Sequence, residues 1–152
     1  MQPRQRSVRG VVLAPGHRVL LQQGHDPTDL RVPPYWFLPG GRLQPGEDAV
    51  AALHRELLEE CGLLGLEIGP VLWRQRSRFR FAGLDFDQDE QIHLIRVAAA
   101  GEIVPTALDP LEAAAFGPAR WWPLGEVAAT PDVVYPLDLV ERLRAAGLLA
   151  PP

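Results

Sequence analysis

Three carboxylates, Glu56, Glu59 and Glu60, fall within five residues of the segment HRELLEECG. Like charges this close repel, so a helix carrying them loses stability unless something positive sits among them. Two arrangements relieve the repulsion. In the first, the group is a solvated acidic face with Arg55 paired to Glu59 one turn on. In the second, the carboxylates surround a hard divalent cation. Mg²⁺ prefers carboxylate and carbonyl oxygens and keeps several waters, which suits phosphate-bearing substrates.

The positioning element is a helix over residues 49–61, capped by Asp48 or Glu47 and stopped by Gly62. At 100° per residue, Val50, Leu53, Leu57 and Cys61 form an apolar stripe expected to face the core. Glu56, Glu59 and Glu60 lie to one side of it, within a sector of roughly 100°; Ala52 falls among them and Arg55 borders them. Ahead of the helix, residues 7–13 and 18–23 read as strands joined by a turn at Pro15-Gly16-His17. Residues 24–34 are loop chemistry, and residues 35–38 form a short aromatic strand ended by Pro39-Gly40-Gly41. After the helix, residues 66–81 read as two strand pieces and residues 91–98 as a further strand. Residues 106–118 read as a loop with one helical turn, 119–122 as a short strand and 123–126 as the opening of a helical turn. Residues 136–146 carry Leu137, Val140 and Leu143 near helical spacing, with Pro136 suited to a first turn and Gly147 to a stop.

Composition bounds the partners. The chain has 152 residues with 47% hydrophobic and 22% charged side chains, the profile of one ordinary globular domain over residues 1–152. A net charge of -4 gives no electrostatic case for a nucleic acid duplex or an anionic membrane. Cys61 stands alone, so no internal disulfide forms, which fits a reducing, cytoplasmic setting. The first residues are basic but lack an apolar secretory core, and no apolar run approaches membrane-spanning length. No repeat or linker divides the chain, so one mixed α/β domain is expected.

The neighbours of the carboxylates carry more information than the carboxylates alone. Gly41 is followed after five residues by Glu47; seven more lead to Arg55-Glu56-Leu57, then Leu58, Glu59-Glu60, Cys61, Gly62 and Leu63. This pattern, G-x5-E-x7-R-E-U-x-E-E-x-G-U with U a bulky apolar residue, resembles the signature of the Nudix hydrolases, the MutT-like family. WFLPGG before it and RWWPLGEV after it look like the family's approach strand and its late strand and helix start. The resemblance implies an α/β/α sandwich around a mixed β-sheet. It also implies hydrolysis of a phosphoanhydride bond in a nucleoside diphosphate linked to another moiety, with Mg²⁺ or Mn²⁺ as cofactor. By matching positions, Glu59 and Glu60 become metal ligands, Glu56 a ligand or the base that activates water, and the Gly40 carbonyl a further ligand. Arg55 orients the glutamates, Glu47 ties the loop to the helix, Gly41 allows a tight backbone path and Gly62 ends the helix. Family members often take a base from further along the chain. Asp87, Asp89 and Glu90 at the start of the strand beginning at Gln91 supply candidates, with Glu90 chosen against a solvated acidic loop.

Other features admit two uses. Arg74, Arg76, Arg78 and Arg80 alternate, hence share one strand face opposite Trp73, Phe79 and Phe81. They form a solvated edge, or Arg74 and Arg76 grip substrate phosphates or line a dimer surface. Trp36, Trp73, Trp121 and Trp122 pack the core or, as for Trp36, stack on a base. His25 and Asp26 border the pocket in a further reading, while the four histidines have no zinc spacing. Three functions stay apart: a hydrolase of a nucleotide-like diphosphate, as monomer or homodimer; a diphosphate isomerase on the same fold, such as isopentenyl diphosphate isomerase; and a non-catalytic nucleotide-binding module.

Overall fold

In a computed structural model, which describes residues 4–152, the elements in chain order are β1 (Gln5–Ala14), β2 (Arg18–Gly24), β3 (Tyr35–Phe37), β4 (Gly40–Arg42), α1 (Ala49–Cys61), β5 (Ile68–Phe81), β6 (Leu84–Arg96), α2 (Pro110–Ala115), β7 (Phe116–Pro123), α3 (Leu124–Ala129), β8 (Val133–Tyr135) and α4 (Leu139–Ala145). The main sheet runs β5-β6-β1-β2-β3-β8, with β4 added to β1 and β7 to β2. It is mixed: β1–β6 and β3–β8 are parallel, and the remaining ladders are antiparallel.

The two sheet faces are apolar in different ways, which is why the helices divide between them. One face gives Val8, Val12, Leu20 and Ile95 to a core closed by Ala52, Leu53, Leu57 and Cys61 of α1. The other gives Val11, Leu13, Val19, Leu21 and Ile92 to a core closed by Leu124 and Val127 of α3 and Leu139 and Leu143 of α4. Alternation along β1 sends Val8 and Val12 one way and Val11 and Leu13 the other. The result is the expected α/β/α layering.

Several local expectations are corrected. Val50 was placed on the core stripe of α1, but it is 42% exposed; the helix instead buries Ala49, Ala52, Leu53, Glu56, Leu57, Glu60 and Cys61. The face is rotated because Glu56 and Glu60 turn inward, away from solvent. The region 66–81 holds one strand, β5, over Ile68–Phe81, not two. The ladder with β6 shifts register on either side of Val71, absorbing Gly69-Pro70, and an edge strand tolerates Pro70. β6 starts at Leu84 rather than Gln91. Its acidic run pairs with arginines across the ladder, Asp85 with Arg80, Asp87 with Arg78 and Asp89 with Arg76, so charge complementarity makes a strand of what reads as a loop. β4 and β8 were not foreseen, being three residues each, and β7 begins at Phe116, ahead of residue 119. α4 starts at Leu139 rather than at residue 136. The helical turn expected within 106–118 is α2.

Candidate active site

α1 begins where Asp48 Oδ1 accepts a hydrogen bond from Ala51 N at 2.8 Å, and ends at Gly62 in the left-handed region, φ 71°. Between these caps, Arg55 is the hub that fixes the acidic side chains. Its Nε and Nη2 donate to the two Glu47 oxygens, each at 2.8 Å. Its Nη1 donates to Glu56 Oε1 at 2.9 Å and to Glu59 Oε2 at 3.3 Å, and Nη2 also reaches the Arg42 carbonyl at 3.1 Å. A planar fork suits this work in a way a lysine does not. The loop before α1 is thereby tied to the helix through Glu47, whose second link is the Gln44 N–H at 2.9 Å.

Arg55 holds the Glu47 carboxyl down to about 2 from its ordinary 4.5. A carboxyl depressed in the fold adds stability above its unfolded value and loses it as pH falls from about 4.5 towards 2. Wild type is therefore expected to lose denaturation midpoint across that window, and Glu47→Gln to show a flatter acid limb. Superposable acid limbs for the two proteins would contradict the tie.

Glu56 and Glu60 are both buried, at 8% and 2% exposure, and Glu112 of α2 joins them. One carboxylate oxygen from each lies within 4.8 Å of the others. Glu112 is delivered by a capping box: Asp109 Oδ1 accepts from Glu112 N at 2.8 Å, and Glu112 Oε1 accepts from Asp109 N at 3.0 Å. That leaves Oε2 of Glu112 without this bond. Burial first, and then the neighbouring Glu56, push the Glu60 carboxyl well above the usual carboxylate range. Burial likewise raises Glu112. Burial disfavours the charged form of both groups, and the neighbouring carboxylates add to it. A divalent cation fits this donor set, since it would supply the missing positive charge to oxygen ligands already gathered.

Glu59 stands apart. Its side chain is 34% exposed, is held only by Arg55 and does not belong to the gathered group of three. The next helical position rotates by 100°, which turns Glu60 inward and leaves Glu59 at the rim. Gly40 meets Glu60 through its N–H, 3.4 Å from Oε2. Gly41 is required by close approach: a Cβ there would lie 2.6 Å from the Glu56 carboxylate. Gly41→Ala is expected to displace that carboxylate and lower turnover at least tenfold, with a small change in melting temperature because only a side-chain end must move. Unchanged turnover would contradict the placement.

Glu90, the candidate base, sits in a buried ion pair with Arg9. It is mid-strand and 5% exposed, and it accepts from Arg9 Nε at 2.6 Å, Ser7 Oγ at 3.1 Å and Gln75 Nε2 at 3.0 Å. Burial would raise its carboxyl, but Arg9, Gln75 and Ser7 together keep it below the usual range. Arg9 also donates to the Leu38 carbonyl at 2.9 Å and lies 5.7 Å from the centroid of Phe37. The pair joins β1, β3 and β6 beside the carboxylates.

The alternating arginines are largely consumed by ion pairs. Arg76 makes two bonds to Asp87, and Arg80 pairs with Asp85. Arg76 borders the main cleft, whereas Arg74 lines a smaller surface hollow with Arg6 and Asp89. Trp36 is not presented to the cleft: it packs edge-on against Trp122, with centroids 5.1 Å apart, and its Nε1 donates to Asp132. Asp26 does border the cleft, and its Oδ2 accepts from Ala82 N at 3.1 Å, joining the 24–34 loop to the β5–β6 turn.

The carboxylates open onto a cleft of about 1600 Å³, walled by Tyr35, Phe37, Phe79, Phe86 and Tyr135. The sequence argument missed Glu112, Arg9 and Gln88. The Asp109-Pro110-Leu111-Glu112 cap pattern was a usable signal for Glu112; an arginine between Val8 and Gly10 in a Val-rich strand was a weaker one for Arg9.

The Nudix domain family matches residues 3–143. The chain belongs to the Nudix domain family. A Bacillus subtilis (strain 168) protein named "Putative 8-oxo-dGTP diphosphatase" is 37% identical over 81 residues, 53% of this chain and 45% of that protein. The 8-oxo-dGDP phosphatase NUDT18 of Mus musculus is 59% identical over 29 residues, 19% of this chain and 9% of that protein. The chain therefore spans less than half the length of these curated relatives. The MutT protein of Methanosarcina mazei Go1 shares the fold at a TM-score of 0.66 and 15% identity, over 96% of this chain and 94% of that one.

Among the described residues, no helix is long and apolar enough to cross a membrane.

Proposed function

We propose that the chain is a Nudix pyrophosphohydrolase that cleaves a phosphoanhydride bond in a nucleotide-like diphosphate, with Mg²⁺ or Mn²⁺ as cofactor. The observation that carries this is the convergence of Glu56, Glu60 and Glu112 on one point at the edge of an aromatic-walled cleft. A bound divalent ion supplies Lewis acidity and relieves charge on the phosphoryl oxygens. The chain supplies the rest. Glu56 and Glu60 would hold the ion, with Arg55 fixing Glu56 through its guanidinium. Glu112, the third carboxylate of the group, would hold the ion beside them, and in place of Glu90 it would also be the carboxylate near enough to accept a proton from the attacking water. Glu59, partly exposed at the rim, is a ligand only if its side chain leaves Arg55.

The names of the curated relatives point to oxidised purine nucleotides as the first substrates to try. The reading places the enzyme in the cytoplasm, acting on a small molecule rather than a nucleic acid duplex. The test is a panel of nucleoside di- and triphosphates, 8-oxo-dGTP among them, of nucleoside diphosphates linked to sugars, and of isopentenyl diphosphate, with Mg²⁺ or Mn²⁺. Release of phosphate or a nucleoside monophosphate supports hydrolysis. Isomerised diphosphate without phosphate release supports the isomerase, and tight binding with no turnover supports the binding module.

A further inference from the structure

The cleft face of the β5–β6 hairpin is graded. Cross-strand neighbours on this face are Gln75 with Glu90, then Ser77 with Gln88, then Phe79 with Phe86. Going outward from the carboxylates, the rows run from charged to polar to aromatic. At about 3.4 Å per residue, Phe86 lies roughly 13 Å along the strand from Glu90, a span suited to a diphosphate and a pentose. The Phe79 and Phe86 rings stack at 5.1 Å with 12° between their planes, and Phe79 is 39% exposed. A planar ring system can extend such a stack.

Gln88 lies between the charged and aromatic rows. It lines the cleft and is 4% exposed, and its Oε1 is buried without a hydrogen-bond partner among the described residues. None of its neighbours in the row bonds it, although Gln75, Ser7 and Arg9 all engage Glu90. A buried acceptor left unpaired is unfavourable, and the loss is recovered when a donor arrives. An amide presents one donor and one acceptor side by side, as does the edge of a nucleobase.

We propose that Gln88 is a specificity-determining residue that reads the polar edge of a nucleobase stacked on the Phe79–Phe86 pair. This rests on the hydrolase reading, since it takes the diphosphate to lie at the carboxylates. It goes further in naming the residues of this chain that recognise the base.

The test compares wild type, Gln88→Met and Phe79→Ala on nucleoside triphosphates of different bases and on an abasic deoxyribose triphosphate. Gln88→Met is expected to lower kcat/KM for the preferred base by roughly tenfold to a hundredfold, mainly through KM, and to flatten the ranking of bases. The abasic compound should be unaffected. Phe79→Ala changes an exposed ring and tests the stack even where Gln88→Met folds poorly; it should weaken every base-bearing compound about tenfold. Equal losses on the abasic compound, or an unchanged ranking of bases in Gln88→Met, would overturn the assignment. If wild type hydrolyses none of these compounds, calorimetric binding of nucleoside monophosphates to the metal-free protein still decides. Base-dependent affinity that is lost in Gln88→Met supports the subsite, and no binding to wild type overturns it.

Discussion

Glu60→Gln is expected to abolish most catalysis, lowering kcat by about a thousandfold or more, and at the same time to raise the melting temperature of the metal-free protein. The two effects have one cause. Glu60 is almost fully buried beside Glu56 and Glu112, and the raised carboxyl means that ionisation is costly within the fold. A group raised in the fold destabilises it wherever it is ionised. Stability is thus greatest below the unfolded value near 4.5 and falls as pH rises through the folded value. Gln keeps the shape and removes the charge, so it mimics the low-pH state. Saturating Mg²⁺ or Mn²⁺ should stabilise wild type more than the variant, because the ion binds the native carboxylates and not the unfolded chain. A Glu60→Gln protein that keeps its activity, or that melts lower than metal-free wild type, would contradict this account.

Arg9→Met is expected to be among the most destabilising single changes, at about 3 kcal/mol or more. Removing the guanidinium leaves Glu90 as a buried charge with only Ser7 and Gln75 as neutral donors. The pKa directions of both partners agree that the pair is favourable in place: Arg9 is raised and Glu90 lowered, each against its burial. The loss is therefore mostly the penalty of an orphaned carboxylate. Arg9→Met combined with Glu90→Gln should recover a large part of it, which chemical denaturation of the two single variants and the double variant would measure. Strict additivity would contradict coupling between the two residues. The single variant is also expected to lose activity, because Arg9 adds positive charge near Glu60 and, together with Arg55, near Glu56.

The two predictions draw on residues of different visibility in the sequence. Glu60 was legible because the box residues are local: Gly41, Glu47, Arg55 and Gly62 sit at fixed offsets along one loop and helix, and those offsets become contacts through helical geometry alone. Arg55 and Glu47 meet as one turn and its preceding loop dictate. Glu112 had a local cap signal, but its approach to Glu56 and Glu60, like the place of Gln88 on the cleft face of a long strand, depends on the fold; Arg9 and Glu90 are brought together by a parallel β1–β6 ladder that no local pattern announces. The same gap explains Glu90. Read locally, it belongs to an acidic run, but in the sheet it is the counter-ion of Arg9. Periodicity located the helix over 49–61 correctly yet misplaced its inner face by about one position, since it assumed that Val50 is buried and glutamates are not. A site that requires buried carboxylates breaks that assumption where function is concentrated. The sheet faces and both core layers, by contrast, followed from simple alternation in β1 and β2.

The claim that organises all of this is that Glu56, Glu60 and Glu112, rather than the full acidic run of α1, define the cation site. Mn²⁺ affinity tests it most directly, read by calorimetry or by the signal of free Mn²⁺ in wild type, Glu59→Gln and Glu112→Gln. The account predicts a clear loss of affinity, about tenfold or more, in Glu112→Gln and a smaller one in Glu59→Gln. Wild-type affinity in Glu112→Gln, together with abolished binding in Glu59→Gln, would contradict it.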